Sequence, residues 1–325
     1  MHREQLGVFV LTRTAKTYTF FIIYIVLNIT SSLLLFNIFY IYNMDPMVYN
    51  ILAQLVLFVP VVLIGVKMSG ERFKSALSLN KTSITDVLLA VGLAIAIGPL
   101  TSLLSMIMLM FYPNNVPASL GVAYESPLLL SILAICVIPA VFEELIFRGI
   151  IFTGFKNVKL SKACVMGGLI FAIAHFDAQQ ILYTFIIGVL FCYIVYRTKS
   201  IIPGMVTHFM VNFTSLMSSR IEFAQTAETA AEEIPLDLAI SQLMGPYLLL
   251  TLFSLPIIYY IVSLMGRKYG RGKPLFNLRQ PEEYEFKVED ESVLDYAPQA
   301  PYEEKLLKWQ FILIILLYIP TLIFY

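Results

Sequence analysis

Apolar residues run through the chain in long blocks, and polar residues collect in short segments between them. An α-helix rising ~1.5 Å per residue needs about twenty apolar residues to cross a hydrocarbon layer. Blocks near that length lie at 18–42, 47–66, 87–112, 127–155, 161–176, 179–196, 201–218, 243–265 and 307–325. The pattern predicts an all-α fold, a polytopic integral membrane bundle of about eight to nine transmembrane helices. The first block is too long for the core of a cleaved signal peptide and lacks a small-residue cleavage pattern, so it reads as a retained helix.

The basic residues orient the bundle. With a cytoplasmic N-terminus, the inner segments hold Arg3, Arg13 and Lys16, then Lys67, Arg72, Lys74 and Lys81. Lys156, Lys159 and Lys162 follow, then Arg197 and Lys199, the run from Arg267 to Lys287, and Lys305 with Lys308. Only Arg220 is then outside and only Arg148 within the membrane, so basic residues lie inside at every loop. The expectation is a multi-pass protein of the cell membrane. Residues 219–242 read as an acidic external loop, with room for a short surface helix, and 266–304 as a charged cytoplasmic linker without apolar periodicity, hence disordered. The domain reading is a three-span region over 1–124, a core over 125–220, and an external loop with the eighth span over 221–265. The 266–304 linker and a last span over 305–325 complete it.

Composition closes off several classes. The chain is 58% hydrophobic and only 14% charged, with mean hydropathy +0.79, so the lipid bilayer must be its main solvent. Its 22 basic residues balance its 22 acidic ones, and nothing favours nucleic acid as a partner. Cys136, Cys164 and Cys192 lie in apolar runs without CxxC spacing, which argues against a disulfide framework and a zinc–thiolate site.

The groups that should not be in a membrane carry the chemistry. FEELIFRG, residues 142–149, interrupts the fourth block with two glutamates and an arginine, each costly at the bilayer centre. His175 ends the fifth block, and His208 with Asn212 sits in the seventh. Glu144 and Arg148 are four residues apart and can pair within one helix. Glu143 points about 140° away from Arg148 in α-helical geometry and has no partner on its own helix. His208 and Asn212 share a face, as do Phe171 and His175. Counting inward from the basic loops puts Glu143 at roughly 18 Å, His175 at roughly 22 Å and His208 at roughly 12 Å, compatible with one chamber open to the cytoplasm. A lone intramembrane His or Asn often serves only an interhelical hydrogen bond. An unpaired glutamate with two histidines on other helices points instead to an ion path, a proton relay or catalysis.

EELIFR (143–148), FAIAH (171–175) and HFMVN (208–212), in this order on separate blocks, resemble the CPBP family of intramembrane glutamic endopeptidases. That family includes CAAX-prenyl endopeptidases and bacterial proteins tied to bacteriocin processing and self-immunity. The resemblance covers about 125 to 220. It implies Glu143 as the base that activates water, His175 as a second holder of that water, and His208 with Asn212 as an oxyanion hole. It also implies that Glu144 and Arg148 fix the helix of the first glutamate. The substrate it implies is a membrane-associated or lipidated protein or peptide, with no cofactor. Two other classes stay open. Glu143, His175 and His208 could supply three zinc ligands, although there is no HExxH. A non-catalytic scaffold or immunity protein could keep the fold, although it would have no need of an unpaired buried glutamate.

Overall fold

The computed structural model describes residues 12–42, 44–112, 126–229, 236–267 and 308–324. The expected 266–304 linker therefore lies almost wholly outside the described residues. Ten helical elements follow in order: α1 Arg13–Tyr42, α2 Pro46–Ser69, α3 Phe73–Ala76, α4 Ile84–Leu109 and α5 Leu128–Phe152. After them come α6 Leu160–Ile173, α7 Ile181–Thr198, α8 Ile202–Thr229, α9 Leu236–Leu264 and α10 Trp309–Phe324. The described residues contain no strand.

Six of these helices are long and apolar enough to cross a membrane on their own: α1, α2, α4, α5, α7 and α9. The sequence pattern led us to expect eight to nine. α6 is a shorter apolar helix of 14 residues and α10 has 16, while α8 is apolar only in its first half. The expected external loop is mostly helical as well. α8 continues to Thr229 and α9 starts at Leu236, leaving 230–235 outside the described residues. No Gly or Pro interrupts SSRIEFAQTAET, and its Ala, Glu and Gln are good helix formers.

The helix ends follow local chemistry. Asp45 caps α2 by accepting from the Met47 and Val48 amides, Pro46 occupies the first turn, and Gly70 ends the helix in the left-handed region. Ser83 caps α4 through the Asp86 amide. α6 and α7 form a tight hairpin because glycines meet between them. A Cβ on Gly188 would come within 2.7 Å of the Gly168 Cα. α1 packs on α2, α4 lies against α8 and α9, and α5 is enclosed by α2, α6 and α8.

One end of the bundle is marked by charge. Glu71, just past α2, receives Arg13 from the start of α1 and Lys156, 3.3 Å away, from beyond α5. Burial pushes the Glu71 carboxyl up, but these two cations outweigh it and hold its pKa below the ordinary carboxylate range. At the other end Arg220 donates to the Ser126 carbonyl at 3.2 Å.

Candidate active site

The site is built around irregularities in α5. The helix widens to π geometry over Ile132–Val137, returns to α geometry over Ile138–Glu143, and widens again over Glu144–Phe152. The α-helical angle between Glu143 and Arg148 assumed from sequence therefore does not apply here. Wide turns of this kind recur at functional sites. Pro139 explains part of the irregularity, because it has no N–H to give to the carbonyl four or five residues back. Those carbonyls belong to Ile135 and Ala134. Asn212 Nδ2 from α8 donates to Ile135 O at 2.9 Å, and Gln54 Nε2 from α2 donates to Ala134 O at 2.8 Å. Two side-chain amides from opposite sides thus satisfy the backbone about two turns before Glu143.

Glu144 and Arg148 form the pair that their spacing predicts. Arg148 Nη1 lies 3.0 Å from Glu144 Oε1, and both side chains are fully buried. The guanidinium is covered by aromatic faces, with Phe171 at 4.1 Å and Phe191 at 5.0 Å from its centre. These π clouds offset part of the cost of removing it from water. Glu144 Oε1 also receives His208 Nδ1 at 3.1 Å, which crosses from α8. Gly204, in the first turn of α8, permits this approach, since a Cβ there would lie 2.9 Å from Glu144 Oε2. The carboxylate consequently faces the positive end of that helix as well.

Glu143 takes no part in the Arg148 pair. Its Oε2, like Glu144 Oε2, is shielded from solvent and makes no hydrogen bond, and the nearest imidazole nitrogen, His208 Nε2, stands 3.9 Å away. His208 therefore lies between the two glutamates. A carboxylate can only accept, so Nδ1 carries the proton shared with Glu144 and Nε2 is directed at Glu143.

His175 follows α6 and lies beside Phe176, whose φ of +51° turns the chain sharply. The His175 Nδ1 lies 2.8 Å from the Phe171 carbonyl, one turn back on the face they were expected to share. Because a carbonyl only accepts, Nδ1 holds the proton and Nε2 keeps a lone pair. Glu143 and His175 both line a cavity of about 290 Å³, with Phe147 and Pro139 on the same side. The opposite wall comes from α1 and α2, through Tyr24, Asn28, Ser31, Ser32 and Gln54.

The structure thus brings Glu143, Glu144, Arg148 and His208 into one cluster and joins His175 to Glu143 through the cavity. Asn212 sits beside the cluster and spends one amide hydrogen on backbone. Among the described residues, no three His, Cys, Asp or Glu side chains converge as a metal-binding group, and the proposed zinc set of Glu143, His175 and His208 does not form one. The cysteines are all buried and free. Reading the sequence missed Gln54, Asn28 and Gly204. The rule that singled out Asn212, a polar side chain inside an apolar block, would have found Gln54 and Asn28. Nothing local marks Gly204.

Comparison with known proteins agrees with the motifs. Residues 125–214 match the model of the Rce1-like family, described as type II CAAX prenyl endopeptidase Rce1-like. No curated protein and no solved structure matches the chain. The matched stretch contains Glu143, Glu144, Arg148, His175, His208 and Asn212, and it excludes α1 and α2.

Proposed function

We propose that this multi-pass membrane protein, with its CAAX-type protease core at residues 125–214, hydrolyses a peptide bond using water activated by Glu143. Its substrate is a membrane-associated or lipid-modified polypeptide. The observation that carries the reading is the pairing of an unpartnered Glu143 Oε2 with an imidazole lone pair on His175 at one cavity.

The steps follow from these groups. A water bound between Glu143 and His175 gives one proton to Glu143 and offers the other to the His175 Nε2 lone pair. The resulting hydroxide attacks the scissile carbonyl carbon. The oxyanion that develops draws on His208 in its doubly protonated form, with Nδ1–H held by Glu144 and Nε2–H free to donate, and on the second amide hydrogen of Asn212. Collapse of the tetrahedral intermediate breaks the C–N bond, and Glu143 returns its proton to the leaving amine. Glu144 and Arg148 take no proton; they hold His208 and α5 in place.

No metal enters this scheme, so chelators are expected to leave turnover unchanged. Inactivation by a chelator that zinc alone reverses would replace the scheme with a metalloprotease. The decisive experiment compares the proteomes of membranes carrying wild type or Glu143→Gln. The substitution keeps the side chain's shape and removes the base, so at least one cleaved peptide should disappear while protein yield stays near wild type. Identical peptide sets would end the endopeptidase reading. The same orientation that places basic loops inside puts the N-terminus in the cytoplasm of a cell-membrane protein.

A further inference from the structure

The residues that line the cavity extend from Glu143 and Tyr24 to Ser32, away from the Arg13–Glu71–Lys156 cluster. Toward the Arg13–Glu71–Lys156 cluster, three buried aromatic rings form a floor. Tyr24 packs against Phe147 and Phe21 at centroid distances of 5.7 Å each, and Phe21 lies 6.5 Å from Phe147. Above this floor α1 presents Asn28, Ser31 and Ser32 on one face, and Gln54 stands opposite on α2. Ser32 is exposed, whereas Tyr24 at the floor is buried. At ~1.5 Å per residue, Ser32 lies roughly 28 Å along α1 from Arg13, while Glu143 lies roughly 14 Å along α5 from Phe152. Along α1 the cavity lining therefore leads from the level of Glu143 to the exposed Ser32, away from the basic end.

The hydrogen bonds of the stripe show what it is prepared to meet. Ser31 Oγ donates to the Asn28 carbonyl at 3.1 Å, Ser32 Oγ to Asn28 Oδ1 at 3.5 Å, and Asn28 Nδ2 to the Tyr24 hydroxyl at 3.4 Å. Each serine donor is used locally, which leaves the serine oxygens to accept and one Asn28 N–H to donate. A lipid chain needs neither. An extended polypeptide in a low-dielectric site needs both, because its own N–H and C=O groups have lost water.

We propose that substrate enters at the end of the bundle opposite Arg13, Glu71 and Lys156, as an extended polypeptide segment laid along Asn28, Ser31 and Ser32 of α1. With the basic loops inside, this mouth faces the external half of the membrane. The substrate class is a membrane-anchored polypeptide that exposes an unfolded stretch at the outer leaflet. This inference rests on the endopeptidase reading for what is cleaved, and on geometry alone for where the mouth lies.

Two measurements test it. The first uses single cysteine substitutions in intact cells and a membrane-impermeant maleimide, which reacts only where water reaches the thiol. The native cysteines are buried and give a silent background. Ser32→Cys should label from outside at least about tenfold faster than Leu33→Cys, a residue 65% exposed that does not line the cavity. Labelling of Ser32→Cys only after permeabilisation, or equal slow labelling at both positions, overturns the external mouth. The second measurement maps the Glu143-dependent cleavage sites. They should lie on external segments of their host polypeptides, and Asn28→Leu should raise KM for them more than it lowers kcat. A cytoplasmic cleavage site, or an unchanged KM, overturns the role of the stripe. If no cleavage depends on Glu143, the endopeptidase reading fails, while the labelling pattern still decides the mouth.

Discussion

The two walls of the cavity are built on different principles. The wall from α5 and α6 presents Glu143 and His175 to the cavity, and behind it lie Glu144 and Arg148, which are held from more than one helix. Glu144 is gripped by Arg148 and His208, Arg148 is capped by Phe171 and Phe191, and the α5 backbone is tied by Gln54 and Asn212. The wall from α1 carries neutral groups whose hydrogen bonds close within their own helix. The difference reflects what each group costs in hydrocarbon. A charge must be surrounded by partners fixed in space, so its neighbours become rigid and interdependent. A neutral stripe can be satisfied locally and changed one residue at a time.

The largest break in this comparison should come from Arg148→Leu. It strands Glu144 as a buried carboxylate with His208 alone, at a cost of about 3–5 kcal/mol. The folded yield in detergent should collapse, whereas Asn28→Leu on the other wall should leave it near wild type. Removing both charges, with Glu144→Leu and Arg148→Leu together, should restore much of the yield without restoring turnover. A double variant as poorly folded as the single one would show that packing of the guanidinium, and not charge balance, dominates.

A smaller effect separates two duties of Asn212. Gln54→Leu and Asn212→Leu each leave one buried carbonyl of α5 without its donor, which costs about 1–3 kcal/mol. Thermal unfolding should report similar losses for both. If Asn212 also serves the oxyanion, its replacement should slow turnover by about a hundredfold or more, the usual effect of one lost donor, and Gln54→Leu should slow it far less. Equal losses of turnover would reduce Asn212 to a clamp on Glu143's helix.

The smallest effect is expected at the rim. Glu71→Gln removes a half-buried carboxylate that bridges Arg13 and Lys156, a contact worth less than about 1 kcal/mol after solvent screening. Because the folded-state pKa of Glu71 is depressed, its stabilisation is present above the unfolded carboxylate pKa and is lost as pH falls through the folded one. Wild type and Glu71→Gln should therefore differ slightly in melting temperature at neutral pH and converge in acid. A gap that persists at low pH would assign the effect to packing.

Much of this molecule was legible in its sequence because the bilayer imposes one-dimensional rules. Runs of apolar residues become helices wherever no water can satisfy the backbone, so the all-helical class followed from block lengths alone. The price of a buried charge singled out Glu143, Glu144, Arg148, His175 and His208, and four-residue spacing gave the Glu144–Arg148 pair before any coordinates. What sequence could not supply was whatever depends on several helices meeting. The π turns of α5, the placement of His208 between the two glutamates, and the close approach at Gly204 arise where α8 and α2 press on a helix already missing the Pro139 donor. Depth counted along single helices likewise could not show that Phe21, Tyr24 and Phe147, three rings from two helices, pack together beside the cavity, a contact decided in three dimensions and invisible to any periodicity along one chain.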